Sequence, residues 1–214
     1  MQGKTHLFCA SMYLGAAAFM AFKAGCAIAF DPLLFLLASI VAVQFPDVDA
    51  PNKKSDLNGL FQIPALITKY LLFIPISLLL LIMGKKGAEH RGIMHSLKGL
   101  LLVLAFWLMI GILALNYFSA FNNLRLLLLL VLGVLCGYLF HLWQDALTVS
   151  GVQFSTNLKI RGWLRTGKHE WLMRLFFLII SAVAANLANT GDTTYAAAVM
   201  VLALPLSFLF FGKA

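Results

Sequence analysis

Long apolar runs alternate along the chain with short polar clusters. Six runs, at about 7–29, 33–46, 99–118, 124–147, 171–189 and 193–211, come near the ~20 residues that cross a bilayer as helix. Hydrocarbon offers the backbone no hydrogen-bond partner, so each run is predicted to satisfy its own amides as an α-helix. A seventh run, 63–83, carries Pro64, Lys69 and Pro75. Proline removes a donor and clashes with the preceding turn, which predicts a re-entrant, kinked or interfacial element there. The expected fold class is all-α: a polytopic membrane helical bundle of about six spanning helices plus one re-entrant or interfacial helix, in a single domain over 1–214.

The polar clusters then fix the topology. His6 opens the first span, "FPDVDAP" (45–51) closes the second, "EHRGIMHSL" (89–97) precedes the third crossing and "HLWQDALT" (141–148) ends the fourth. If the six spans cross and 63–83 does not, all four clusters fall on one face. Lys4, Lys53, Lys54, Lys85, Lys86, Arg91, Lys98, Lys159, Arg161, Arg165, Lys168, Arg174 and Lys213 share that face, against Lys23 and Arg125 on the other. The positive-inside rule makes the first face, with both termini, cytoplasmic.

Composition supports the membrane reading. At 62% hydrophobic residues and a mean hydropathy of +0.92, the chain is far more apolar than a soluble core of 214 residues requires. The net charge of +8 then belongs to loops that meet anionic headgroups. The expected partners of those loops are membrane lipids, with no nucleic acid. The N-terminal run is read as a retained first helix, and Cys9, Cys26 and Cys136, scattered in apolar runs, as packing residues.

Chemistry enters with the histidines and acids. His141 and Asp145 stand i, i+4, one turn apart on one helix face. In a membrane helix that pair needs a polar cavity or partners, and a His–Asp bond joining two helices would also serve. Asp47 and Asp49 flank Val48; in an extended turn both acids could approach one or two cations, or simply cap a helix end. His90 and His95 are five apart, and Gly92 can let His90 and Arg91 lie in a turn while His95 opens the next helix. Together His6, Asp47, Asp49, His90, His95, His141 and Asp145 form a mixed imidazole and carboxylate set. Such a set suits zinc, or manganese and magnesium as oxygen ligands increase, with room for one or two ions. Arg91 is placed to hold an anionic oxygen.

The ordered motifs "THLF", "FPDVDAP", "HRGIMHS" and "GYLFHLWQDALTVSGV", with "TGKHEWLMR" after them, between residues 5 and 174, resemble the YdjM-like family of inner-membrane proteins assigned as metal-dependent hydrolases, some of them LexA-regulated. The resemblance implies a bacterial inner-membrane hydrolase with functional residues at His6, Asp47, Asp49, His90, Arg91, His95, His141 and Asp145. Two positions depart from the family pattern: Ala50 stands where histidine is frequent, and Met94 where threonine is usual. A more distant similarity to zinc-dependent phospholipase C would favour zinc and a phosphoester.

The leading expectation is therefore a membrane-bound metal-dependent hydrolase acting on a phosphoester or other small or lipid-linked anionic substrate. Asp49, His90 and Arg91 are its catalytic candidates, and Arg91, Lys98, Arg165 and Glu170 its substrate-contact candidates. The alternative is a metal-binding scaffold or metal transporter built on the same ligands.

Overall fold

The computed structural model describes residues 3–25, 30–49, 62–83, 93–117, 124–153 and 159–212. Its helices are α1 (Gly3–Lys23), α2 (Phe30–Ala42), α3 (Ile63–Ile67), α4 (Ile74–Ile82), α5 (Leu97–Tyr117), α6 (Leu124–Ala146), α7 (Glu170–Asn189) and α8 (Thr193–Phe211). Short 3-10 turns follow α2, at Pro46–Asp49, and precede α5, at Ile93–His95. The fold is helical apart from one small ribbon, and among the described residues seven helical segments are long and apolar enough to cross a membrane. Two-residue strands β1 (Val152–Gln153) and β2 (Lys159–Ile160) pair antiparallel as a small ribbon, with Val152 opposite Ile160.

Segment Ile63–Ile82 is a continuous helix, with a π-wound stretch Thr68–Phe73 between its two prolines. The wider winding accommodates the ring and missing donor of Pro75, as π-turns inserted in helices do. Thr68 lends its hydroxyl to the Pro64 carbonyl at 2.9 Å and accepts the Trp107 indole N–H at 3.0 Å, which pins the start of the segment to α5. The later half, α4, buries no side chain. Both ends of the intervening chain lie at the same place, because Asp49 and His95 are 3.2 Å apart.

Helix α6 is the axis of the bundle. Tyr138, Leu142 and Ala146, at i, i+4, i+8, pack into an apolar cluster with Ala42, Phe45, Met94 and Val103, whereas Phe140 and Leu147 pack into a second cluster with Cys9, Tyr13, Met173 and Phe177. His141 and Asp145 thus project at the seam between two sub-bundles, α2 with α5 on one side and α1, α7 and α8 on the other. The Met94 side chain, where the family pattern has threonine, is fully buried in apolar company. Its carbonyl accepts the Tyr138 hydroxyl, which docks the turn carrying His95 onto α6.

Two glycines on α6 permit its contact with α2. A Cβ at Gly137 would stand 2.1 Å from the Ser39 carbonyl oxygen, and one at Gly133 would stand 2.6 Å from the Ala38 Cβ. This Gly-x-x-x-Gly spacing lets two membrane helices touch backbone to backbone. At the far end, Arg125 of α6 pairs with Asp31 of α2, so the same two helices are joined by charge there. Beyond α6, the ribbon segment ties its end to that of α8, since Gly162 N–H donates to Thr148 and Trp163 N–H to Phe211.

Gly137→Val is expected to separate α2 from α6, because the clash is with fixed backbone. Overpacking usually costs ~1–3 kcal/mol, so the thermal midpoint in detergent should fall clearly, while Gly15→Val, where a Cβ meets nothing within 4 Å, should leave it near the original. Equal midpoints for the two variants would show that the close approach does not stabilise the fold.

Candidate metal centre

Five side chains from four parts of the chain meet at one end of the bundle: His6 from α1, Asp47 from the turn after α2, His95 from the turn before α5, and His141 and Asp145 from α6. They form two overlapping trios, His6–His141–Asp145 and Asp47–His95–His141, with one ligand atom from each residue and all such atoms in a trio within 4.8 Å of one another. All but Asp47 are deeply buried.

The individual distances are informative. His6 Nε2 lies 3.2 Å from Asp145 Oδ1, and His95 Nε2 lies 3.5 Å from Asp145 Oδ2 and 3.6 Å from Asp47 Oδ1. His141 Nε2 lies 3.6 Å from Asp145 Oδ2 and 3.8 Å from Asp47 Oδ1. A direct charge-assisted bond contracts to roughly 2.8 Å. Two ligands each ~2.1 Å from a tetrahedral ion are instead held about 3.4 Å apart. Each trio is spaced as ligands of a common ion are. In keeping with this, the buried Nε2 atoms of His6 and His141 make no well-aligned hydrogen bond among the described residues.

Partners behind the rings set their tautomers. His141 Nδ1 lies 2.6 Å from the Val43 carbonyl, an acceptor only, so that nitrogen carries the proton and Nε2 turns a lone pair to the cluster. His95 Nδ1 lies 3.2 Å from Asp49 Oδ2, the carboxylate–histidine arrangement that orients metal-bound imidazoles. The His6 and His141 rings stack with centroids 3.8 Å apart and planes 11° from parallel, which orders both. Burial opposes the charged form of His95, yet hydrogen bonds to Asp47 and Asp49, with the charges of Asp49 and Asp145, raise its pKa to about 9.

The expected extended turn at Asp47 and Asp49 is a 3-10 turn instead. Winding sends the two acids to opposite edges of one ring, Asp47 to Nε2 and Asp49 to Nδ1 of His95. His90 and Arg91 lie outside the described residues. Lys98 is exposed on the first turn of α5 and Arg165 on the loop before α7. Glu170 stands apart from both trios: it accepts the Thr5 hydroxyl at 2.5 Å and the Gly167 N–H at 3.1 Å, while Arg174 donates to the same Thr5 oxygen. That tether fixes the residue before His6 to the start of α7.

Sequence reasoning missed this tether and the Val43 carbonyl. No residue type signals a carbonyl, but the Gly133 and Gly137 spacing was a readable sign that α2 would come close enough to supply one.

The structure thus defines a class, a polytopic helical membrane protein with a buried His/Asp centre that could hold a metal ion. Residues 1–214 match the family model for the YdjM inner membrane protein, and the chain belongs to that family of integral inner-membrane proteins. The match extends beyond the motif-bearing segment 5–174 to cover α7 and α8 in full. No curated protein and no solved structure matches the chain.

The His95 shift has a direct consequence. Its folded pKa of about 9 exceeds the ~6.5 of an unfolded histidine, so in metal-free protein its contribution is complete below ~6.5 and is lost as pH rises through about 9. A cation replaces that proton, so the thermal stabilisation by added zinc over chelator-treated protein should widen between pH 6.5 and 8.5. A gap independent of pH would show that metal and proton do not compete.

Proposed function

We propose that the protein is a membrane-bound metal-dependent hydrolase acting on an anionic phosphoester at the cytoplasmic face. The observation that carries this reading is the ligand-like spacing, within two overlapping trios, of the largely buried His6, Asp47, His95, His141 and Asp145. Imidazole and carboxylate donors together favour zinc, with manganese or magnesium as alternatives. A divalent ion in such a site polarises a phosphoryl oxygen and makes water acidic enough to act near neutral pH.

The chain's own residues divide the remaining work. Asp49 holds His95 in the tautomer that directs Nε2 inward, and the Val43 carbonyl does the same for His141. Asp47 is the least buried acid of the set, with its side chain 13% exposed. With Asp47 among the ligands, the proton of attacking water would pass to Asp49, the neighbouring carboxylate outside both trios, as oxygen bonds to phosphorus and the ester oxygen leaves with a proton. Lys98, exposed on the first turn of α5 three residues after His95, would draw in the anionic group. The lysine and arginine bias supports a cytoplasmic orientation. A transporter would carry polar ligands along the midplane, whereas this donor set sits at one end of the bundle.

The test begins with metal content by plasma mass spectrometry on detergent-purified protein. Stoichiometric metal is expected in the natural sequence, with its loss in a folded His141→Ala, Asp145→Ala double variant. Metal-dependent cleavage of p-nitrophenyl phosphate should vanish with it. Bound metal without turnover of any phosphoester would leave a metal-stabilised scaffold, and no metal after supplementation would remove the hydrolase reading.

Asp49→Asn separates positioning from ligation. It should retain metal at saturating concentration but weaken its affinity by about 10–100-fold, as loss of an orienting partner does. Complete loss of metal at saturation would show Asp49 to be a direct ligand.

A further inference from the structure

An apolar cavity of about 330 Å³ lies between α2, α5, α6 and the start of α3, and it reaches Phe45, two residues before Asp47. Its walls include Leu37, Val41, Phe45, Trp107, Leu130 and Val134. The indole N–H of Trp107 is already taken by Thr68, so the cavity presents hydrocarbon alone. Helical interiors are otherwise close-packed, and an apolar void of ~150 Å³ already accepts benzene. This one falls within the ~300–1,000 Å³ range of ligand pockets. Leu37 and Leu130 are 37% and 38% exposed on the bundle's outer face, which gives the cavity a side facing the bilayer.

Its position relates it to the site. The three helices that wall it are those that deliver Asp47, His95, His141 and Asp145 at one end. Phe45 lines the cavity, stacks on Trp107 at 5.6 Å, and stands two residues before Asp47. Hydrocarbon wall and metal-ligating turn are therefore one continuous piece of chain.

We propose that the cavity seats an acyl chain of a membrane lipid whose phosphate-bearing headgroup lies at the His/Asp centre, so that the substrate of the hydrolase reading above, on which this rests, is a bilayer phospholipid. A soluble phosphoester would not use a hydrocarbon cavity. A lipid entering sideways between α2 and α5, which are not in close contact as α2 and α6 are, would place its chain along Trp107 and its phosphate toward Asp47.

The test uses the full-length protein in phosphatidylcholine vesicles containing phosphatidic acid with a diazirine in one acyl chain. After irradiation, labelled peptides are mapped in the natural protein and in two cavity-filling variants, Ala114→Trp and Gly111→Leu. The second is tolerable because a Cβ there meets only the flexible end of Leu127. Labelling should concentrate on α2, α5 and α6 around Leu37, Trp107 and Leu130. Each variant should weaken it by about tenfold, as displacing a few buried methylenes would, while metal content stays unchanged. Labelling spread evenly over outward-facing residues of α4 and α8 and indifferent to both variants would overturn the proposal, as would cross-links between two copies of the chain at this cavity. Because the readout requires no turnover, failure of hydrolysis with focused labelling would dispose of the enzyme reading alone. Metal-dependent cleavage of p-nitrophenyl phosphate with unfocused labelling would dispose of the lipid proposal alone.

Discussion

The centre depends on one contact, the 2.6 Å hydrogen bond from His141 Nδ1 to the Val43 carbonyl. Val43 lies just past the end of α2, where helical carbonyls lack intrahelical partners. His141 sits one turn beyond Gly137, the point where α6 and α2 touch. A larger residue at that contact would move the carbonyl out of reach and free the imidazole to choose its tautomer. The bond joins packing to chemistry: glycines set the helix separation, separation sets the bond, and the bond turns Nε2 toward the Asp47 and Asp145 carboxylates. The Asp31–Arg125 pair at the far end keeps the two helices from splaying about that contact.

A buried group of three imidazoles and three carboxylates is costly in a membrane protein, where unpaired charge has no water to turn to. The fold reduces that cost by placing the group at the end of the spans and by supplying each ring with a neighbour. His6 stacks on His141, His95 is held by Asp49, and His141 is held by Val43. With no cation, the high pKa of His95 shows which proton balances the excess of carboxylate charge. A divalent ion supplies that balance more completely, since it meets several oxygens and nitrogens at once. A helix-joining His–Asp bond would need only one pair at contact distance. Here two overlapping trios hold imidazole nitrogens 3.2–3.8 Å from carboxylate oxygens, and helix adhesion alone does not account for that.

Much of this was legible in the sequence because it follows from periodicity and end placement. The six long apolar runs appear as helices, and His6, Asp47, His95, His141 and Asp145 meet because each sits at the same end of its run. The i, i+4 spacing of His141 and Asp145 determines a shared face once the helix is known. The 3-10 form of Pro46–Asp49 was not legible, since a Pro-Asp-Val-Asp stretch suits an extended turn as well, and the choice is made by where His95 lies. Nor was the division between Asp47 and Asp49. Two acids of the same type, two positions apart, acquire different surroundings only through a ring delivered from 46 residues away. The helix over 63–82 shows the limit of proline as a breaker, because π-winding absorbs what a regular helix would not.

The location of the centre also bears on what reaches it. Helices α2, α5 and α6 converge at the His/Asp end but leave an apolar cavity between them, although α2 and α6 are in backbone contact at Gly133 and Gly137. Tight and open packing along the same helix pair is not a uniform defect of fit. It concentrates the open volume on the bilayer side of Phe45 and the dense packing behind His141. A substrate arriving from water would have no use for the open volume. A lipid approaching within the membrane plane meets the hydrocarbon opening first and the ligands last. Its burial of apolar surface would add to the pull of Lys98 in holding the phosphate at the centre, which suits a site where carboxylates repel an anion.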